Sequence, residues 1–265
     1  MASKISVSIG MTGKEFVENN NLEGSVRVDR QPAGLNFYEY DWPLDNRGTI
    51  AFVHGEYGFE VDDVLSIMCP EDADSEEGGF EDISINFGFA GGGDVSHDLV
   101  RREFLDFIDH LKSLGWTRVV DYSDPRLTGV EAYNFHKNDR LYSFPLDYRL
   151  NLDEWMELDE STRWTVWAKD VFIELRFHRD GEKMDPEGRG NYLFVMKISS
   201  AEDFAKSYVK PEDRDKWSDL WEEEIRTLKR QRYNKEEQIK NAGGTIDTDY
   251  EDPIVHPKDP VEVEP

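Results

Sequence analysis

A change of hydrophobic period near the middle of this chain does most to limit its fold. At Ile83, Ile85, Phe87 and Phe89, apolar side chains alternate strictly with polar or small ones, as in a strand buried on one face. Gly91, Gly92 and Gly93 break the run, and Ser96 offers a hydroxyl as a helix N-cap. From Val100 the spacing becomes helical, through Phe104, Phe107, Ile108, Leu111 and Leu114, with Gly115 placed to stop it. A one-sided strand feeding a one-sided helix predicts a two-layer α+β arrangement. The opposite helix face, with Arg101, Arg102, Glu103, Asp106 and Asp109, is expected in solvent.

Similar signals run along the chain. Ile5, Val7 and Ile9 alternate with serines as a short strand, and Thr12 with Glu15 makes a capping box for a short helix. Extended segments are expected at 25–28, 35–42, 49–53, 59–69 and 117–122, and Asp124, Pro125 and Gly129 read as loop. Asn151 with Glu154 forms a second capping box. A hairpin follows, Trp164–Ala168 against 171–177, turning at Lys169 and Asp170, and 192–198 is a further strand. Ser200 and Asp203 cap another helix. Pro211 opens a long one with an apolar stripe of Trp217, Leu220, Trp221, Ile225 and Leu228, almost wholly charged beyond Arg232 and ended by Gly243 and Gly244. The expected fold is therefore α+β, antiparallel sheet with packed amphipathic helices and a long C-terminal helix. The order strands, helix, strands, helix occurs twice, over roughly 49–120 and 162–232. That order fits two similar lobes, 1–150 and 151–244, or one domain over 1–244. Residues 245–265 read as an acidic, Pro-rich tail, disordered or strapped across the surface.

Charge narrows the choice of partner. Asp and Glu number 57 against 31 Lys and Arg, a net −26 over 265 residues, and the excess is spread along the chain. Enough aromatics are present for a core: 7 Trp, 11 Tyr and 15 Phe. Such a protein repels nucleic acid and anionic membranes and attracts basic partners at raised on-rates. No run approaches the ~20 apolar residues that span a bilayer. The first ten residues lack the basic and apolar regions of a secretory signal. The chain reads as cytoplasmic as written, and as periplasmic if a native leader or anchor was removed.

Catalytic motifs are weak. Cys69 is the single cysteine, so no internal disulfide can form, and it closes an apolar stretch as a buried thiol. The glycine-rich segment 88–94 fits no phosphate-loop pattern and lacks a lysine. Asp72, Asp74 and Glu76 imitate the start of a calcium loop, but Glu77 stands where glycine is required and Ile83 where the closing Glu is required. The six histidines have no metal-ligand spacing, and with 57 carboxylates a chance pair in some cleft carries no specificity. No cofactor is expected.

Several stretches are similar to a family of bacterial immunity proteins that accompany antibacterial effectors such as those of type VI secretion. They are FLDFIDHLKSLGWTR (104–118), SDPRLTG (123–129), LNLDEW (150–155) with RWTVWAKDVFIELRF (163–177), and KMDPEGRGNYLF (183–194) leading to the helix at Trp217 and Trp221. The resemblance implies a non-enzymatic antitoxin that binds and occludes a cognate toxin with a basic active-site cleft. Exposed loops on a rigid scaffold often carry binding. The candidate contacts are accordingly Asp72, Asp74, Glu76 and Glu77 in an acidic loop spanning 70–79, and Asp180, Glu182, Asp185 and Glu187 in the 180–190 loop. Two rival readings are a hydrolase with a carboxylate or metal site assembled from loops, and an accessory chaperone that loads an effector without inhibiting it.

Overall fold

The computed structural model describes residues 3–32, 34–73 and 78–259. The N-terminal half runs β1 (Lys4–Val7), α1 (Gly13–Asn19), β2 (Arg27–Gln31), β3 (Leu35–Asp41), β4 (Gly48–Phe52), β5 (Phe59–Asp72), β6 (Asp82–Phe87), β7 (Val95–Ser96) and α2 (His97–Ser113). The C-terminal half adds β8 (Thr117–Arg118), α3 (Gly129–Asn138), α4 (Leu152–Glu157), β9 (Trp164–Ala168), β10 (Val171–Arg179), β11 (Arg189–Gly190), β12 (Tyr192–Ser200), α5 (Ala201–Lys206), a 3₁₀ turn (Pro211–Lys216) and α6 (Trp217–Asn241). Among these residues one ten-stranded sheet has the order β1-β4-β5-β6-β12-β10-β9-β8, with the β2–β3 hairpin also attached to β5. All its pairings are antiparallel except β1 with β4. Within this sheet the β6–β12 pairing joins the two halves of the chain, and a separate two-stranded sheet pairs β7 with β11.

The capping signals act as the sequence requires. Thr12 Oγ1 accepts from the Glu15 amide at 3.2 Å while Glu15 accepts from the Thr12 amide at 3.0 Å, and Asn151 and Glu154 repeat the exchange at 2.9 Å each way. Ser96 and Ser200 cap α2 and α5. Gly115 stops α2 with φ at +95°, a conformation costly for any residue with a Cβ. Residues Lys169 and Asp170 turn the β9–β10 hairpin in the expected register, Ala168 opposite Val171.

Alternation sends one set of side chains inward. Ile83, Ile85 and Phe87, then Phe194, Met196 and Ile198, then Ile173, Leu175 and Phe177 are all buried on one face of the sheet. Helix α2 lies across that face. Its Phe104 ring stacks on Phe194 with centroids 5.3 Å apart and meets Trp164 edge-on at 4.5 Å. The core therefore sits between α2, α4 and this face.

Five local expectations are revised. Residues Pro70 to Asp72 do not belong to a loop, because they continue β5 in register with β3. Only Thr117 and Arg118 of 117–122 form a strand; the Val119 amide still donates to the Thr165 carbonyl at 2.8 Å, and Val120 buries in a side cluster. Gly129 opens a helix, α3, where loop was expected, with Ala132, Tyr133 and His136 buried. On α2, Arg101 is not solvated. It donates to the Leu150 carbonyl at 2.7 Å, and Glu103 turns inward to accept from the Ala90 amide at 2.6 Å. On the charged end of α6, Arg232 and Glu236 are buried, paired with Asp252 and Arg126 respectively.

The last described stretch, 245–259, is a strap. The Asp247 amide donates to the Arg126 carbonyl at 2.7 Å, and Tyr250 Oη accepts from the Val120 amide at 2.8 Å. Arg232 of α6 holds both oxygens of Asp252 at 2.9 Å. Asp259 closes the strap by accepting from Trp221 Nε1.

Candidate functional site

On the opposite face of the sheet α5 packs against β10 and β12, and beyond it polar and charged side chains line the strands. The floor of this face is set by strand register. One row crosses six strands, Glu39, Met68, Ser84, Lys197, Glu174 and Thr165, each opposite the next. A neighbouring row runs Asp41, Ser66, Asn86, Val195 and Arg176. Small side chains in the centre leave the floor low. Taller groups at the ends make three adjoining hollows, of about 210 Å³ between Glu39 and Asn86, 490 Å³ from Met68 to His178, and 330 Å³ beneath α5.

The charges form a partly paired lattice. Lys197 Nζ lies 3.2 Å from both Asp82 and Asp203, Arg176 is 2.8 Å from Glu174, and His178 is 3.2 Å from Glu160. Burial, only partly offset by Lys197, raises the Asp82 pKa, and its Oδ1 is buried with no donor among the described residues. Seven carboxylates line the three hollows (Glu39, Asp41, Asp82, Asp121, Glu160, Glu174 and Asp203) against Arg163, Arg176 and Lys197. The three cations that line the hollows all belong to the β9–β10–β12 side, while on the β3–β5–β6 side Glu39 is paired with Arg27 of β2.

The segments singled out from the sequence flank this face without meeting. Asp72 is exposed at the last residue of β5, opposite Leu35, and Asp74, Glu76 and Glu77 lie outside the described residues. The 180–190 loop leaves the other end of the strands, beyond the Arg179–Tyr192 pair. The nine residues of β12 separate the two ends, about 26 Å at ~3.3 Å per residue. Glu182, Asp185 and Glu187 are exposed, but Asp180 and Asp185 are engaged in turns, accepting from the Glu182 and Glu187 amides at 3.1 and 3.2 Å. Lys183 and Arg189 tie the loop to Asp94, and Arg189–Gly190 pairs with β7, so this segment is a fastened strand connection.

Other chemistry-bearing groups are internally engaged. In the glycine loop, Glu103 and Asp63 accept from the Ala90 and Gly91 amides at 2.6 and 2.7 Å, occupying donors that a phosphate would need. Cys69 is fully buried, and burial, then the Asp82 charge, pushes its thiol well up, away from nucleophilic use. Among the described residues no group of three His, Cys, Asp or Glu side chains could hold a metal ion. No helix among them is long and apolar enough to cross a membrane.

Set beside family models, curated proteins and solved structures, the chain finds no match. Its site is therefore defined by geometry alone. Sequence reading missed the sheet face because its members come from six strands distant in sequence. The outward positions of 83–89 and 192–198 were a usable signal, but alternation does not say which strands are neighbours.

Proposed function

We propose that this chain is a non-enzymatic binding protein of the immunity type, which occludes a basic cleft on an effector toxin with the polar face of its sheet. The observation that carries this reading is a broad sheet face with seven carboxylates against three basic groups, on a chain of net −26. An inhibitor must reach its toxin before damage is done, and a long-range negative field accelerates that encounter. The strand scaffold holds the face rigid, so little conformational entropy is lost on binding.

Capture from the native host at low and high salt, followed by a toxicity assay with the recovered partner, tests the reading. The expected result is one secreted basic toxin in near-equal amount, neutralised by this chain and captured more slowly as salt rises. A partner that binds but stays toxic would assign the chain to effector loading. Recovery of no stable partner in either condition overturns both.

A further inference from the structure

Past the C-terminal end of α2, a hollow of about 440 Å³ opens between β8, the segment 126–128, Leu146 and the C-terminal strap. That volume suits a small organic molecule. Trp116, Val120 and Leu127 supply buried apolar wall, completed by Leu146 and Tyr250. Three basic groups, Lys112, Arg118 and Arg126, line it together with Asp147 and Asp247.

These groups are not equivalent. Arg126 is neutralised by Glu236 through two bonds of 2.8 Å, and Lys112 stands at the rim, 3.4 Å from Asp109. Among the described residues Arg118 has neutral partners only. It donates to the Leu127 carbonyl at 2.6 Å and to the Ser143 carbonyl, and its guanidinium carbon lies 5.0 Å from the Tyr142 ring centroid. Its Nε is buried with no acceptor among the described residues. Among the described residues this half-buried guanidinium therefore has no ion-pair partner and one idle donor. Both lining acids are occupied: Asp147 accepts from the Gly129 amide and Asp247 from the Asp249 amide, each at 3.0 Å.

We propose that this hollow binds an amphipathic monoanion, a compact aromatic or alkyl group carrying one carboxylate. The apolar part lies against Trp116, Leu127 and Leu146, and the carboxylate supplies Arg118 with a counter-charge, with Lys112 at the entrance. Asp247 and Tyr250 belong to the strap, so an occupied hollow also holds the strap down.

Calorimetric titration of the full chain with 2-naphthoate and octanoate, alongside uncharged 2-naphthamide and octanol, tests this. Each carboxylate is expected to bind at one equivalent and about tenfold tighter than its uncharged partner, since charge-assisted hydrogen bonds are the stronger kind. Leu146→Trp fills the hollow and is expected to abolish binding with the circular dichroism unchanged. Lys112→Glu weakens the carboxylates alone, and Arg118→Met erases the preference for charge. If Arg118→Met does not fold, the other two variants decide. Equal affinity for charged and uncharged probes, affinity untouched by Leu146→Trp, or no binding of any probe at millimolar concentration overturns the proposal.

Discussion

His97 opens α2 fully buried, its Nδ1 2.6 Å from Tyr192 Oη, which in turn accepts from Trp155 Nε1 at 3.1 Å. The other ring nitrogen of His97, Nε2, is buried with no partner among the described residues. Burial, then the Arg179 guanidinium, lowers its pKa, and burial does the same for His136. In the unfolded chain both take a proton near pH ~6.5. Below that pH the unfolded state binds more protons than the folded one, so these residues withdraw stability as pH falls. The thermal midpoint is expected to decline as pH drops from about 6.5 toward 5, with a shallower decline in His97→Gln. An identical slope in His97→Gln and His136→Gln would contradict this. Gly190 lies against the His97 ring and has no room for a methyl group. Gly190→Ala should cost about 1–3 kcal/mol in urea denaturation, the usual penalty of overpacking.

At the scale of elements, what the sequence made legible was local. Both capping boxes, the β9–β10 turn and the stop of α2 depend on residues a few positions apart, and the side chains involved have few other uses. Asn151→Ala should therefore lower stability by about 1 kcal/mol. Helix α3 escaped although Thr128 and Glu131 have capping-box spacing, because Gly129 follows the cap and polar residues interrupt the buried Ala132, Tyr133 and His136. The buried charges of α6 escaped for a different reason. A run of Lys, Arg and Glu reads as solvated, yet here Arg126 pairs with Glu236 and Asp252 of the strap pairs with Arg232. Truncation after Gly244 removes Asp252 and leaves Arg232 buried with its carboxylate partner gone. A loss of about 3 kcal/mol is expected, with faster amide exchange along α6. Unchanged exchange there would mean the strap carries no load.

For the whole molecule, fold class was readable from period and charge from composition, but the candidate site was not. Glu39 and Thr165 share a row only because four strands intervene in an order no periodicity reveals. If the sheet face meets a basic partner, Glu39→Lys with Asp41→Lys should slow association several-fold at low salt while changing dissociation little. Stopped-flow rates at two salt concentrations would show it, and an equal effect on both rate constants would remove this end of the face from the interface. The seam between β6 and β12 has a temporal consequence. Residues 82–87 pair with β5 on one edge, but their partners on the other come at 194–199, so during synthesis the N-terminal strands wait, one edge open, until β12 has left the ribosome. Folding is then paced by closure of a loop of more than a hundred residues, a slow step of high contact order, and an early-terminated chain would expose the flank of β6 to aggregation.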